Sequence, residues 1–187
     1  MYYQVFAGQG GAHFWLRNLN FFSYFTILSN LMAALLTGWT CLTHRLPSIV
    51  IRSAVLLYIG ITGIVYAIVL RHIWVPQGMQ WVADILLHYV TPLLYVGYWE
   101  LFNTEGVLSR AFFWQVQGWP LGYLLYTLLK GWWLGSYPYP FLNVKQLGLW
   151  LVLRNALLIC GLLAGLAWPV YLVNQFHHRS TKRRGAS

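Results

Sequence analysis

The sequence predicts an all-α fold, a polytopic transmembrane helical bundle with five spans, and its composition is the first reason. Of the 187 residues, 59% are hydrophobic and only 8% are charged, whereas a soluble domain needs about 25% charged residues to cover its surface. The apolar stretches reach the ~20 residues that a helix needs to cross a bilayer. The net charge of +9 comes from short loops and a C-terminal tail. That distribution is typical of a topology signal, and we expect no nucleic-acid partner.

Turns and charged residues divide the chain into five apolar segments. The predicted spans cover residues 21–42, 52–72, 80–102, 112–130 and 147–174. Residues 1–20 are predicted as a loop or short interfacial helix, residues 21–176 as the membrane domain, and residues 177–187 as a basic, disordered tail.

Basic residues set the predicted orientation. When five spans alternate, one side of the membrane receives Arg45, Arg52, Arg110 and the basic tail. Because positive loops stay in the cytoplasm, that side and the C-terminus are predicted to be cytoplasmic. The opposite side holds four basic residues that run against the rule: Arg17, Arg71, Lys130 and Lys145.

A stripe of small and polar residues follows one face of the first span. Its members fall within a sector of about 80° on a helix: Ser23, Thr26, Asn30, Ala33 and Thr37. Hydrogen bonding between helices is the ordinary role of such a stripe, so the stripe alone does not distinguish packing from a functional site.

The third span places Asp84, His88, Thr91 and Tyr95 on one face. An ionisable residue inside a bilayer is costly and suggests a function. Asp84 lies four residues before His88, so its carboxylate can reach and orient the imidazole one turn away. Pro92 lacks an N–H, which leaves the His88 carbonyl without its helical donor and predicts a bend. A structural pair that ties helices together is the competing interpretation.

Depth decides which polar groups can meet. Thr26 lies ~8 Å and His88 ~10–12 Å below the outer ends of their spans, so both belong to the outer half of the bundle. Four further polar residues lie near the same level: Arg71, Lys130, Arg154 and Asn155. This clustering predicts a pocket open to the outer leaflet rather than a channel.

Four motifs in order resemble the Pr6Pr family of bacterial integral membrane proteins. They are Phe-Thr-x-x-x-Asn within residues 22–30, Trp-Val-Pro-Gln-Gly at 74–78, His-x-x-x-Pro within 88–95 and Ser-Tyr-Pro-Tyr-Pro-Phe-Leu-Asn-Val at 136–144. That family is distantly similar to the androgen-induced and androgen-dependent membrane proteins, which hydrolyse fatty acid esters of hydroxy fatty acids. Relatives usually have six spans. The resemblance therefore implies that a first span is missing here and that residues 1–20 hold its remnant.

The resemblance implies a Thr26 nucleophile and a His88 base. Asp84 would orient His88, as in a catalytic triad, and Asn30 or Asn155 would donate to the oxyanion. A lipid carboxylate would be held by one of three cations: Arg71, Lys130 or Arg154.

The expected function is an intramembrane lipid-ester hydrolase of the bacterial plasma membrane. Membrane lipids are the expected partners, and no cofactor and no metal are expected. The alternative is a non-enzymatic multi-pass protein, either a transporter or a lipid-binding scaffold. The two differ in the distance between Thr26 and His88, which must approach hydrogen-bond reach in an enzyme.

Overall fold

The computed structural model describes residues 11–103 and 105–184, and all regular structure within those ranges is helical. Residues 1–10 and 185–187, which include part of the predicted N-terminal segment and tail, lie outside the described residues. The helices are α1 (Gly11–Phe21), α2 (Phe25–Thr43), α3 (Ile49–Val65), α4 (Met79–Ile85), α5 (Thr91–Phe102), α6 (Phe112–Gln115), α7 (Gly118–Leu134), α8 (Val144–Leu147) and α9 (Leu149–Arg184). Two π-helical turns, Tyr66–Leu70 and Leu86–Val90, extend α3 and join α4 to α5, and a 3₁₀ turn covers Pro140–Leu142.

Three helical stretches are long and apolar enough to cross a membrane: Phe25–Thr43, Ile49–Leu70 and Leu149–Ser180. They correspond to the first, second and fifth predicted spans. Stretches of this length and composition are characteristic of membrane proteins. Many large apolar side chains also remain exposed, such as Trp132 at 83% and Leu157 at 72%, and such a surface suits lipid better than water.

The first span begins later than predicted. Phe21 ends α1, and a turn at residues 22–24 separates it from α2. Two tyrosines of α7 hold this turn, since the Tyr123 hydroxyl donates to the Ser23 carbonyl and Ser23 Oγ lies 2.7 Å from the Tyr126 hydroxyl. The break places Thr26 in the first turn of α2.

Over residues 177–184 of the predicted tail, α9 continues through Arg184. No glycine or proline interrupts the chain after Pro169 in this stretch.

The core lies where α2, α3, α5 and α9 meet. The central residues of this cluster are almost fully buried: Ala33, Val55, Ile59, Trp99, Leu163 and Ala167. A second, smaller cluster lies under the loop between α7 and α9 and contains Tyr123, Tyr139, Leu142 and Val152. This smaller cluster borders the predicted site.

Arg52 closes the end of the bundle opposite the predicted site. Its side chain is only 1% exposed, and its two terminal nitrogens donate to the Phe102 and Glu105 carbonyls at 2.6 Å each. Phe102 ends α5 and Glu105 follows it, and the last carbonyls of a helix have no donors within the helix. A positive charge at a helix C-terminus is also favourable, so Arg52 fixes the end of α5 against α3.

We predict that Arg52→Ala destabilises the protein by about 3 kcal/mol, because two charged hydrogen bonds are lost in a buried setting. For a chain of this size, the melting temperature in detergent should fall by roughly 6–12 °C. Arg45→Ala is the matched control, since Arg45 is exposed and its removal changes the net charge equally. Equal melting temperatures for the two variants would contradict this role of Arg52.

Candidate active site

Thr26 lies in the first turn of α2, and this position determines the hydrogen bonding of its backbone N–H. The first N–H groups of an α-helix have no acceptor within the helix. The Thr26 N–H donates instead to the hydroxyl of Tyr139, 3.2 Å away. Tyr139 belongs to the loop between α7 and α8, so this bond joins residues that are 113 positions apart in the sequence.

The Thr26 hydroxyl lies between two side chains. Its Oγ1 is 3.4 Å from His88 Nε2 and 3.3 Å from the Tyr139 hydroxyl. Thr26 is 8% exposed and the His88 side chain 10% exposed. The two residues that the sequence predicted to meet are therefore in direct contact, at a distance slightly longer than an ideal nucleophile–base hydrogen bond.

Asp84 fixes which nitrogen of His88 carries the proton. His88 Nδ1 lies 3.0 Å from the Asp84 carbonyl and 3.3 Å from Asp84 Oδ1. Because a carbonyl oxygen only accepts, Nδ1 must be the protonated nitrogen. In the neutral imidazole, Nε2 then presents its lone pair to Thr26, which is the tautomer that a general base requires.

Tyr66, the first residue of the π-helical turn that extends α3, contacts both Asp84 and His88. The sequence did not indicate this residue. Its hydroxyl donates to Asp84 Oδ2, and its ring stacks on the His88 imidazole with centroids 4.0 Å apart and planes 15° apart. One aromatic residue thus restrains both the carboxylate and the imidazole.

The predicted bend before Pro92 takes the form of the π-helical turn Leu86–Val90. The His88 carbonyl, which lacks its donor because of Pro92, points at Gly63 of α3. A Cβ atom added to Gly63 would lie 2.8 Å from that oxygen, closer than such contacts allow. Gly63 therefore lets α3 approach the backbone of His88.

The other two members of the predicted polar face have structural contacts. Thr91 Oγ1 donates to the Leu86 carbonyl at 2.8 Å. The Tyr95 hydroxyl donates to the Arg52 carbonyl at 3.3 Å. Only Asp84 and His88 of this face reach Thr26 or its neighbours.

The predicted oxyanion donors are engaged elsewhere. Asn30 Nδ2 donates to the Thr26 carbonyl at 2.8 Å and to the Leu87 carbonyl at 3.2 Å, which uses both amide hydrogens. Asn155 Nδ2 donates to the Phe141 carbonyl at 3.0 Å. Asn30 thus ties α2 to the π-helical turn, and Asn155 anchors the loop that carries Tyr139.

The three predicted carboxylate-binding cations lie outside the cavity next to Thr26. Arg71 and Arg154 are exposed, and Lys130 is buried in α7. None of them lines the cavity.

An apolar cavity of about 80 Å³ adjoins Thr26. Its walls come from α2, α3, α7, α9 and the Tyr139 loop, and none of the lining residues in the described part of the chain is charged. The hydroxyls of Thr62 and Tyr123 are already bonded to the Ile59 and Ser23 carbonyls. Thr26 and Tyr139 line the cavity, whereas His88 lies behind Thr26, outside the lining.

Comparison with known proteins gives no assignment: no protein-family model, no curated protein and no solved structure matches this chain significantly.

We predict that Gly63→Ala disturbs the site while Gly60→Ala does not. The added Cβ at Gly63 meets a backbone oxygen of His88, whereas nothing lies within 4 Å of a Cβ at Gly60. Overpacking of this kind costs about 1–3 kcal/mol, and Ala is favoured over Gly in a helix by up to about 1 kcal/mol. Thermal unfolding should show Gly63→Ala destabilised and Gly60→Ala unchanged or stabilised. The reverse order would exclude the close approach.

Proposed function

We propose that this chain is a multi-pass membrane hydrolase that cleaves lipid esters, with Thr26 as the nucleophile and His88 as the base. The observation that carries the proposal is the relay Thr26–His88–Asp84, with Oγ1 facing Nε2 and Nδ1 facing the carboxylate. A hydroxyl, a base and a group that orients the base form the arrangement used in nucleophilic catalysis.

The chemistry follows from the proton positions. Thr26 Oγ1 attacks the ester carbonyl carbon while its proton passes to His88 Nε2. The imidazolium then returns that proton to the departing alkoxide, which leaves an acyl ester on Thr26. Water, deprotonated by His88, attacks the acyl ester in the second half-reaction. The carbon–Oγ1 bond then breaks, His88 returns its proton to Thr26 Oγ1, and the fatty acid is released. Asp84 and Tyr66 keep the imidazole in place throughout.

The cavity supports a hydrocarbon substrate. Its lining contains no charge, and Phe25, Leu124 and Ile159 contribute apolar surface next to Thr26. Binding sites for small molecules are usually apolar with a few well-placed polar groups, and here Thr26 and Tyr139 are such groups. An acyl chain in this cavity would place its ester at the Thr26 hydroxyl.

Five spans with a cytoplasmic C-terminus form part of the proposal, as does membership of the Pr6Pr family in a bacterial plasma membrane. The helical stretch from Met79 to Phe102 is roughly 35 Å long, and α7 has 17 residues, the lower end of the range for a spanning helix. With these two added, Thr26, His88 and Tyr139 lie towards the outer side.

A lipid-binding scaffold is the second candidate, because the site's polar bonds also join helices. Tyr66 to Asp84 joins α3 to α4, and Asn30 to Leu87 joins α2 to the π-helical turn. Transport has less support. Buried apolar residues such as Leu36, Ile59 and Trp99 pack together in the core of the bundle.

We predict that Thr26→Ala and His88→Gln each lower ester hydrolysis at least about 10³-fold, because they remove the nucleophile and the base. Asp84→Asn should lower it less, by roughly 10–100-fold. The measurement uses purified protein in detergent with 4-nitrophenyl esters of increasing chain length and a hydroxyl-reactive fluorophosphonate probe.

Thr37→Ala is the matched control, since Thr37 lies on the same helix and its hydroxyl donates to the Ala33 carbonyl. It should retain full hydrolysis and labelling. If Thr26→Ala still hydrolyses esters and is still labelled, Thr26 is not the nucleophile and the scaffold becomes the better explanation.

We predict that single cysteines report opposite sides of the membrane when placed at Gln77 and Ser109, both exposed, in a background with Cys41 and Cys160 replaced by serine. In intact cells, a membrane-impermeant maleimide should label Gln77→Cys but not Ser109→Cys. Both should react after permeabilisation. Labelling of both positions in intact cells would contradict the five-span arrangement.

A further inference from the structure

We propose that the Tyr139 hydroxyl is a further catalytic group. It donates the hydrogen bond that stabilises the oxyanion formed when Thr26 attacks an ester carbonyl, and the Thr26 backbone N–H is the second donor. This inference rests on the proposed function and names the group that stabilises charge in the same site.

The proton arrangement around Thr26 leaves Tyr139 one direction in which to donate. The Thr26 N–H only donates, so the Tyr139 oxygen is its acceptor at 3.2 Å. The single Tyr139 proton then points to Thr26 Oγ1, 3.3 Å away. Oγ1 in turn donates its own proton to His88 Nε2. Every proton in this series of hydrogen bonds has an acceptor. Both donors, the Tyr139 hydroxyl and the Thr26 N–H, lie next to Thr26 Oγ1.

That region is where the negative charge develops. An oxyanion forms one bond away from the carbon that the nucleophile attacks, so useful donors must lie beside the nucleophile itself. The Thr26 N–H meets this condition because it belongs to the same residue. Tyr139 meets it because its hydroxyl contacts both the amide and Oγ1 of Thr26. Asn30 uses both amide hydrogens on the Thr26 and Leu87 carbonyls, and Asn155 donates to the Phe141 carbonyl, so neither amide is bonded to Oγ1.

Tyr139 is held rigidly and remains protonated. Its ring stacks on Phe141 with centroids 5.0 Å apart and planes 9° apart, and it meets Tyr24 edge to face. Burial raises the pKa of the Tyr139 phenol above its ordinary value, so the hydroxyl stays a neutral donor at physiological pH. A fixed donor in an apolar site stabilises charge more strongly than one in water.

The bonds balance in each half of the step. Attack forms the Oγ1–carbon bond, and the carbonyl π pair moves onto oxygen. The Tyr139 O–H turns from Oγ1 to this oxyanion, and the Thr26 N–H, which donates to the Tyr139 oxygen before attack, shifts to the oxyanion as well. Collapse restores that double bond, breaks the carbon–alkoxide bond and transfers the His88 proton to the alkoxide. Tyr139 keeps its proton throughout.

The test is Tyr139→Phe, which removes the hydroxyl and retains the ring stacking. Hydrolysis of 4-nitrophenyl esters should show kcat lowered about 10²–10³-fold, the range for loss of one oxyanion donor, with KM changed less than threefold. Tyr98→Phe is the matched control, because the Tyr98 hydroxyl pairs with Thr40 at the far end of α2. It should leave both constants unchanged.

A second measurement does not depend on turnover. An alkyl trifluoromethyl ketone adds to the Thr26 hydroxyl and forms a stable oxyanion, whereas the corresponding methyl ketone binds without forming a stable adduct. Tyr139→Phe should weaken binding of the fluorinated ketone at least 30-fold and leave binding of the methyl ketone within threefold.

The outcomes separate the two proposals. If wild-type protein hydrolyses esters and Tyr139→Phe retains kcat and ketone affinity, the oxyanion role of Tyr139 is overturned and the hydrolase stands. If wild-type protein hydrolyses nothing yet binds the fluorinated ketone in a Tyr139-dependent manner, the donor role stands and the proposed activity fails. Absence of both turnover and adduct overturns both.

Discussion

The contact between α3 and the segment around His88 is the constraint on which the site depends. Pro92 deprives the His88 carbonyl of its helical donor, and Gly63 leaves room for that carbonyl against α3. Three residues further along α3, Tyr66 bonds Asp84 and stacks on His88. A glycine and a tyrosine one turn apart therefore set both the closeness of the helices and the orientation of the imidazole. Both π-helical turns lie at this contact, where such turns often mark function.

The two ends of the bundle satisfy polar groups in different ways. At one end, Arg52 bonds the carbonyls that follow α5, and Asn174 of α9 bonds the linker through Asn103, Gly106 and Leu108. The Arg52 and Asn174 side chains hold backbone groups there. At the other end, the Thr26 hydroxyl contacts both His88 and Tyr139, and Thr26 and Tyr139 line an apolar cavity. A few polar groups that meet beside an apolar cavity are typical of a binding site, and our proposed function therefore concerns this end.

Asn30 illustrates how a residue that lies at the predicted site can have partners that the sequence does not indicate. Its position four residues after Thr26 brings it to the site, as the helical period requires. Its amide, however, bonds two backbone carbonyls. The contact with Leu87 joins residues that are distant in the sequence, so the sequence does not predict it. Its Oδ1 is buried without a hydrogen-bond partner among the described residues. The role of Asn30 is to fix the start of α2 against the π-helical turn.

The sequence alone determined the helical, apolar character of the chain and the pairing of Asp84 with His88, because both follow from composition and from the local period of a helix. It also brought Thr26 and His88 to one depth, since the rise per residue converts position into distance. Only the tertiary structure determined the contacts of Tyr66 with Asp84 and His88 and the contact of Tyr139 with Thr26. In a chain with 18% aromatic residues, nothing local separates a tyrosine that only packs from one that hydrogen-bonds to Thr26. The break before α2, which exposes the Thr26 N–H, likewise depends on Tyr123 of a distant helix. Contacts between remote segments are set by packing, and packing cannot be derived from any one stretch of sequence because it depends on several segments at once.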